Sequence, residues 1–289
     1  MNYIYLFLAM TFSAMITIGG RLYNTKTKGL TKVSMLYMML VPSFAALGWL
    51  CLWCIDFSFD IRVLPYAMLY GIGYTLFTVG MLGALDCGST SLTALVKQVA
   101  LVGVSFWRFL FWDTALTITS GLGIALIIIS LALCLLTKEA KNEKNNLLKW
   151  LFFALMVVVG NAGCAIVQRY QQMAFDYQHK NMFMFFGVLF SALVSVIISL
   201  REDRANWKSA VKASWLFPAI TGLSSVLSNV FILLLVKKEF SPVILYPGVA
   251  VGGLVLTIII SLIGFREKIR TLQWLGFAVS AVALVLLNI

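Results

Sequence analysis

Acidic side chains and histidine are what this chain has least of: eleven Asp and Glu, and a single His, His179. A metal centre or an acid–base active site needs several such groups within reach of one another. No Asp, Glu or His falls well inside an apolar run, so no cofactor is expected and enzyme chemistry is disfavoured. Charge of either sign is scarce, at 11% of residues, against about 25% in a soluble domain. That excludes water as the solvent for most of the chain. Long polar stretches are missing as well. With neither a nucleotide-binding loop nor a soluble ATPase segment, any pumping must draw on gradients or exchange.

What fills the chain instead is hydrophobic, 61% of it. A spanning helix needs about 20 mostly apolar residues, at 1.5 Å rise each through a hydrocarbon layer near 30 Å. Runs meet that length at about 2–22, 30–54, 63–84, 89–111 and 117–136, then at 150–170, 181–200, 213–236, 241–264 and 271–288. The pattern predicts an all-α integral membrane protein with ten transmembrane helices, multi-pass in the inner or plasma membrane. A charged linker, 137–149, divides a first five-helix unit (1–136) from a second (150–289). The first run has no basic leader and is expected to stay as a helix. Cys51 and Cys54 form a C-x-x-C pair without polar company and far from His179, which favours packing over redox or metal roles.

Internal matches suggest that the two units are repeats. Arg21 corresponds to Arg169, Gly71 to Gly222 and Ser91 to Ser241, at offsets close to 150 residues. The junctions from Phe111 and from Phe265 both read aromatic, acid, polar turn, then a glycine-containing apolar helix, which pairs Asp113 with Glu267. An acid there suits the positive end of a helix dipole, so both are expected to anchor helix starts. Charge placement adds to this. Odd-numbered loops carry fifteen Lys and Arg and even-numbered loops six. That bias accounts for most of the net charge of +11 without a nucleic-acid partner. With five helices per unit, one basic face requires the second unit to be inserted upside down, as two inverted five-helix repeats.

In its final stretch, LYPGVAVGGLVLTIIISLIGFREKIRTLQWLGFAVSAVALVLLN, echoed by 91–136, the sequence resembles the EamA-like ten-helix members of the drug/metabolite transporter superfamily. The shared pattern is Pro and glycines in the ninth run, an acid after it, and a Gly in the tenth. The resemblance implies a secondary transporter with a central substrate site. Family members are usually drawn with both termini in the cytoplasm, whereas the charge count puts them outside. The first-helix acid of the small multidrug relatives is absent here, so that chemistry does not carry over.

Lys97 is the sharpest candidate. It lies about eight residues into the fourth run, roughly 12 Å deep, where a charge facing lipid costs at least about 2.5 kcal/mol. Thr90, Thr93, Lys97 and Arg108 share one helical face, and an intramembrane charge marks a substrate path unless it snorkels or bonds a neighbouring carbonyl. Further polar stripes run through Tyr66, Tyr70, Tyr74 and Thr78, and through Ser13, Thr17 and Arg21. Others include Asn161 with Gln168, Ser225 with Asn229, and Tyr246 with Gly253 and Thr257. Each alone is ordinary interhelical glue; together they suggest one polar cavity. The substrate-binding set is therefore Lys97, Gln98, Tyr70, Tyr74, Asn161, Gln168, Ser225, Asn229 and Tyr246. Gly248 and Gly252, with Pro247, predict close packing and a bend.

Alternating-access transport of a small organic solute is the leading function, and the lipid bilayer and that solute are the partners. A solute that is neutral, zwitterionic or anionic fits Lys97 better than a cation does. An embedded enzyme acting on a lipid-linked substrate, or an exporter of drug-like compounds, is the alternative.

Overall fold

In lipid every backbone N–H and C=O must find its partner inside the protein, which long apolar runs achieve as helices. The computed structural model describes residues 2–28, 30, 34–111, 117–136, 144–199 and 206–287. Lys32, Asp113, Lys138, Lys141, Arg201, Arg204 and the side chains of Arg108 and Lys144 lie outside that description. The described residues form α1 (Asn2–Lys26), α2 (Ser34–Ile55), a 3₁₀ turn (Ile61–Val63), α3 (Leu64–Cys87), α4 (Thr90–Phe111) and α5 (Ile118–Leu136). After these come α6 (Lys144–Ala174), α7 (Lys180–Ser199), α8 (Trp207–Ser214), α9 (Leu216–Lys237), α10 (Pro242–Gly264) and α11 (Thr271–Leu286).

Eight of these helices are long and apolar enough to cross a membrane; the apolar stretches Ile118–Cys134 and Thr271–Leu286 are shorter. At 16 residues, α11 rises about 24 Å, somewhat less than the hydrocarbon layer. Two elements depart from the sequence reading. The charged linker ends early, because its last residues from Lys144 already belong to α6. A short helix, α8, precedes α9. It buries Ala210 and Ser214 and exposes Lys208, Val211 and Lys212, an amphipathic arrangement too brief to stand out in an apolar profile.

The principal interfaces join α1 to α9 and α10, α2 to α7 and α9, α3 to α6 and α7, α4 to α6, and α5 to α11. Small residues let these backbones approach. A Cβ on Gly160 would overlap the Phe77 backbone on α3, one on Gly71 the Gly187 carbonyl on α7, and one on Gly222 the Val41 carbonyl on α2. Gly252 sits against Met10 of α1, as the G-x-x-x-G pattern predicts. Large apolar side chains such as Ile128, Ile197, Ile259 and Ile263 point outward, where lipid rather than water is their natural neighbour.

Candidate functional site

The Lys97 ammonium is turned from α4 onto α1, where it donates to the Ser13 carbonyl at 3.1 Å and to Ser13 Oγ at 3.0 Å. Both acceptors are neutral, and among the described residues Lys97 has no ion-pair partner. From the other side the Asn161 amide on α6 donates to the Lys97 carbonyl at 3.1 Å. Lys97, Ser13 and Asn161 thus tie three helices at one level. Ser13 also lies against Gly253 of α10, where any larger residue would press on the Lys97 acceptor.

A second polar group joins α3 to α9. Tyr74 OH lies 3.4 Å from Ser225 Oγ, and Asn229 Nδ2 donates to the Ser225 carbonyl at 2.8 Å. The Tyr70 ring stacks on Tyr74 at 6.1 Å and meets Phe183 edge-on at 5.1 Å. Between the groups runs α1: Ser228 Oγ of α9 donates to the Ala9 carbonyl at 3.2 Å, one helical turn before Ser13.

Of the nine residues expected at the site, Lys97 and Asn161 fall in the first group, and Tyr70, Tyr74, Ser225 and Asn229 in the second. The other three stand apart. Gln98 is buried but one residue on from Lys97, hence about 100° around α4. Gln168 is half-buried on the Asn161 face of α6, two turns farther along. Tyr246 keeps the helical register of Gly253 and Thr257 yet is 47% exposed near the start of α10. Ser13 belongs at the centre. Its stripe with Thr17 and Arg21 was visible in the sequence, but its pairing with Lys97 depends on how α1 packs.

A cavity of about 320 Å³ lies elsewhere, lined by Asn24, Lys28, Met38, Leu82, Asp86 and Phe153 among others, with nothing from α4, α9 or α10. At the far end of the bundle, Arg62 donates to Asp60 at 2.6 Å and lies over the Phe175 ring at 5.8 Å. Those hydrogen bonds from Arg62 hold the Asp60 carboxyl down to about 2.

Fold and polar interior together define a multi-pass helical membrane protein. No family model matches the chain, and no curated protein does. Solved structures do match: one, a protein crystal structure, aligns with a TM-score of 0.61 at 12% identity, over 99% of this chain and 95% of its own. At that identity the likeness is one of fold.

Proposed function

We propose that this protein is a secondary transporter, similar in plan to the EamA-like drug/metabolite transporters, that moves a small organic solute across the inner or plasma membrane by alternating access. The reading takes α5 and α11 as two further spans, giving ten, with the chain built as two inverted five-helix repeats. Packing supports that plan. If α1–α5 correspond to α6, α7, α9, α10 and α11, then the α1–α9 interface is the counterpart of α3–α6, α1–α10 of α4–α6, and α2–α9 of α3–α7. Gly71 and Gly222, matched in sequence, fill the same place in the last of those pairs, each against a backbone carbonyl of its partner helix.

The observation that carries the reading is Lys97, a membrane-depth ammonium held only by the neutral oxygens of Ser13 among the described residues. A charge there costs at least about 2.5 kcal/mol unless something rewards it, and a solute carboxylate or phosphate is a stronger partner than a hydroxyl. The Tyr70–Tyr74 pair offers an aromatic surface for an apolar part, and Asn229 offers polar contacts. Neutral and zwitterionic solutes fit the same set better than simple cations do.

Counterflow into proteoliposomes, across a panel of organic anions, amino acids, nucleosides and quaternary amines, tests the proposal. Wild type should exchange one of the first three classes, and Lys97→Ala should cut that exchange at least about tenfold, the loss of one charge-assisted contact. Transport of a quaternary amine undiminished by Lys97→Ala would refute the charge assignment. Turnover of a lipid-linked substrate, with no solute flux, would replace transport with enzyme chemistry.

A further inference from the structure

The first turn of any helix leaves four backbone N–H groups without partners inside the helix, and α4 satisfies its four from two sources. Thr93 N donates to the Ser89 carbonyl at 3.1 Å and Leu92 N to Ser89 Oγ at 3.3 Å, both local. Thr90 N and Ser91 N donate instead to the two oxygens of Glu267, at 2.7 and 3.3 Å, from the turn between α10 and α11. Ser91 Oγ also donates to Glu267, at 2.9 Å, and lies 2.6 Å from Ser261 Oγ. With one proton on each hydroxyl, Ser91 gives its own to the carboxylate, while that of Ser261 is shared between Ser91 Oγ and the Ile258 carbonyl, 2.9 Å away.

Arg21, at the end of α1, completes the knot. It lies 3.9 Å from Glu267 and donates to the Leu85 carbonyl of α3 at 2.7 Å. Glu267 therefore fastens the α10–α11 turn to α4 and α1, and Arg21 carries the link on to α3, at a single end of the bundle. Thr90 stands seven residues from Lys97 on the same face of α4, about 10 Å away along the helix.

We propose that Glu267 is the latch that closes the route from Lys97 to this end, and that its departure from Thr90 and Ser91 is the opening step. The proposal rests on the transport reading. Parting α10–α11 from α4 strips the acceptor from two amides and a hydroxyl. Water alone can then satisfy them, so this end opens only as it is hydrated. The Thr90 hydroxyl, buried and without a partner among the described residues, is one more group that gains from that water.

Thr17 reports the state of the latch. It is buried between Ser13 and Arg21 on α1, below the knot. Thr17→Cys, in a chain otherwise free of cysteine, is treated with a membrane-impermeant maleimide on the side bearing Lys26 and Lys28. Adding Glu267→Gln should speed labelling about tenfold or more, the equivalent of one charge-assisted bond. The swap Arg21→Glu with Glu267→Arg should stay fast, since an arginine cannot accept from the α4 amides. Ser91→Ala, which removes one donor and leaves the helix intact, should speed labelling by a smaller factor and serves if Glu267→Gln does not fold. Labelling within about twofold of the parent in folded Glu267→Gln or Ser91→Ala, or a swap that restores slow labelling, overturns the latch. Labelling needs no solute: a chain that labels as expected but transports nothing keeps the latch and loses the transport reading.

Discussion

The starts of α4 and α10 face the same problem and meet it differently. Helix α4 relies on Glu267 from a distant part of the chain for two of its first amides. At the start of α10, Ser241 makes no side-chain cap bond, and the first turn opens with Pro242, which has no N–H to satisfy. The next bonds there are local, Ile244 N and Leu245 N to the Ser241 carbonyl at 3.1 and 3.0 Å. Beside it, Lys238 lies over the Tyr5 ring at 4.8 Å and Phe240 meets Tyr3 edge-on at 5.8 Å. One start is locked by a carboxylate from elsewhere in the chain, the other is self-sufficient and bordered by aromatic rings. Two helices that the proposed repeat would pair can thus differ in what must break before they move.

The most direct way to break the contrast is Glu267→Ala. It removes a partly buried acceptor shared by two amides, a hydroxyl and Arg21, and should lower stability by about 3 kcal/mol, read as a fall in Tm of the detergent-solubilised protein. A loss under about 1 kcal/mol would make the α4 start as self-sufficient as that of α10. Next in size are Gly71→Val and Gly222→Val, which press a side chain onto a partner backbone in two interfaces that the proposed repeat would pair. Each should cost about 1–3 kcal/mol, and the two should be alike, because the asymmetry belongs to the helix starts and not to the packing. Smallest is Pro242→Ala, which restores an N–H at the first helical position and loosens the unfolded chain. Its cost should be about 0.5–1 kcal/mol, measured the same way.

Much of this was legible in the sequence. Lipid forces apolar runs into helices, so their order could be read with boundaries a few residues off, as at Lys144 on α6. Lys97 announced itself by sign and depth. The marks at Arg21, Ser91 and Glu267 were visible too, but as separate signs of a repeat. Glu267 was expected to anchor the start of its own helix, yet α11 begins at Thr271 with Gln273 reaching back to the Arg270 amide at 3.0 Å. The carboxylate caps α4, 177 residues away. Nothing local encodes that meeting. A pattern of residue types records the face a side chain stands on; which helix comes to lie against it is decided by the packing of glycines and alanines in several interfaces at once. For the same reason Ser13 could not be singled out as the partner of Lys97, and Gln98, Gln168 and Tyr246 could not be told from their better-placed neighbours.

The way the helices alternate bears on how the molecule comes into being. The principal contacts of α1–α5 are with α6–α11, while those among the first five, such as α1 with α3 or α4 with α5, are sparse. A ribosome delivers the amino-terminal helices first, so α1–α5 are made before their mates have been translated. During that interval Lys97 already has its acceptor, Ser13, on α1, while the amides of Thr90 and Ser91 wait for a glutamate still unmade. Assembly is therefore a late, collective event, because most contacts of α1–α5 wait for α6–α11 to be made.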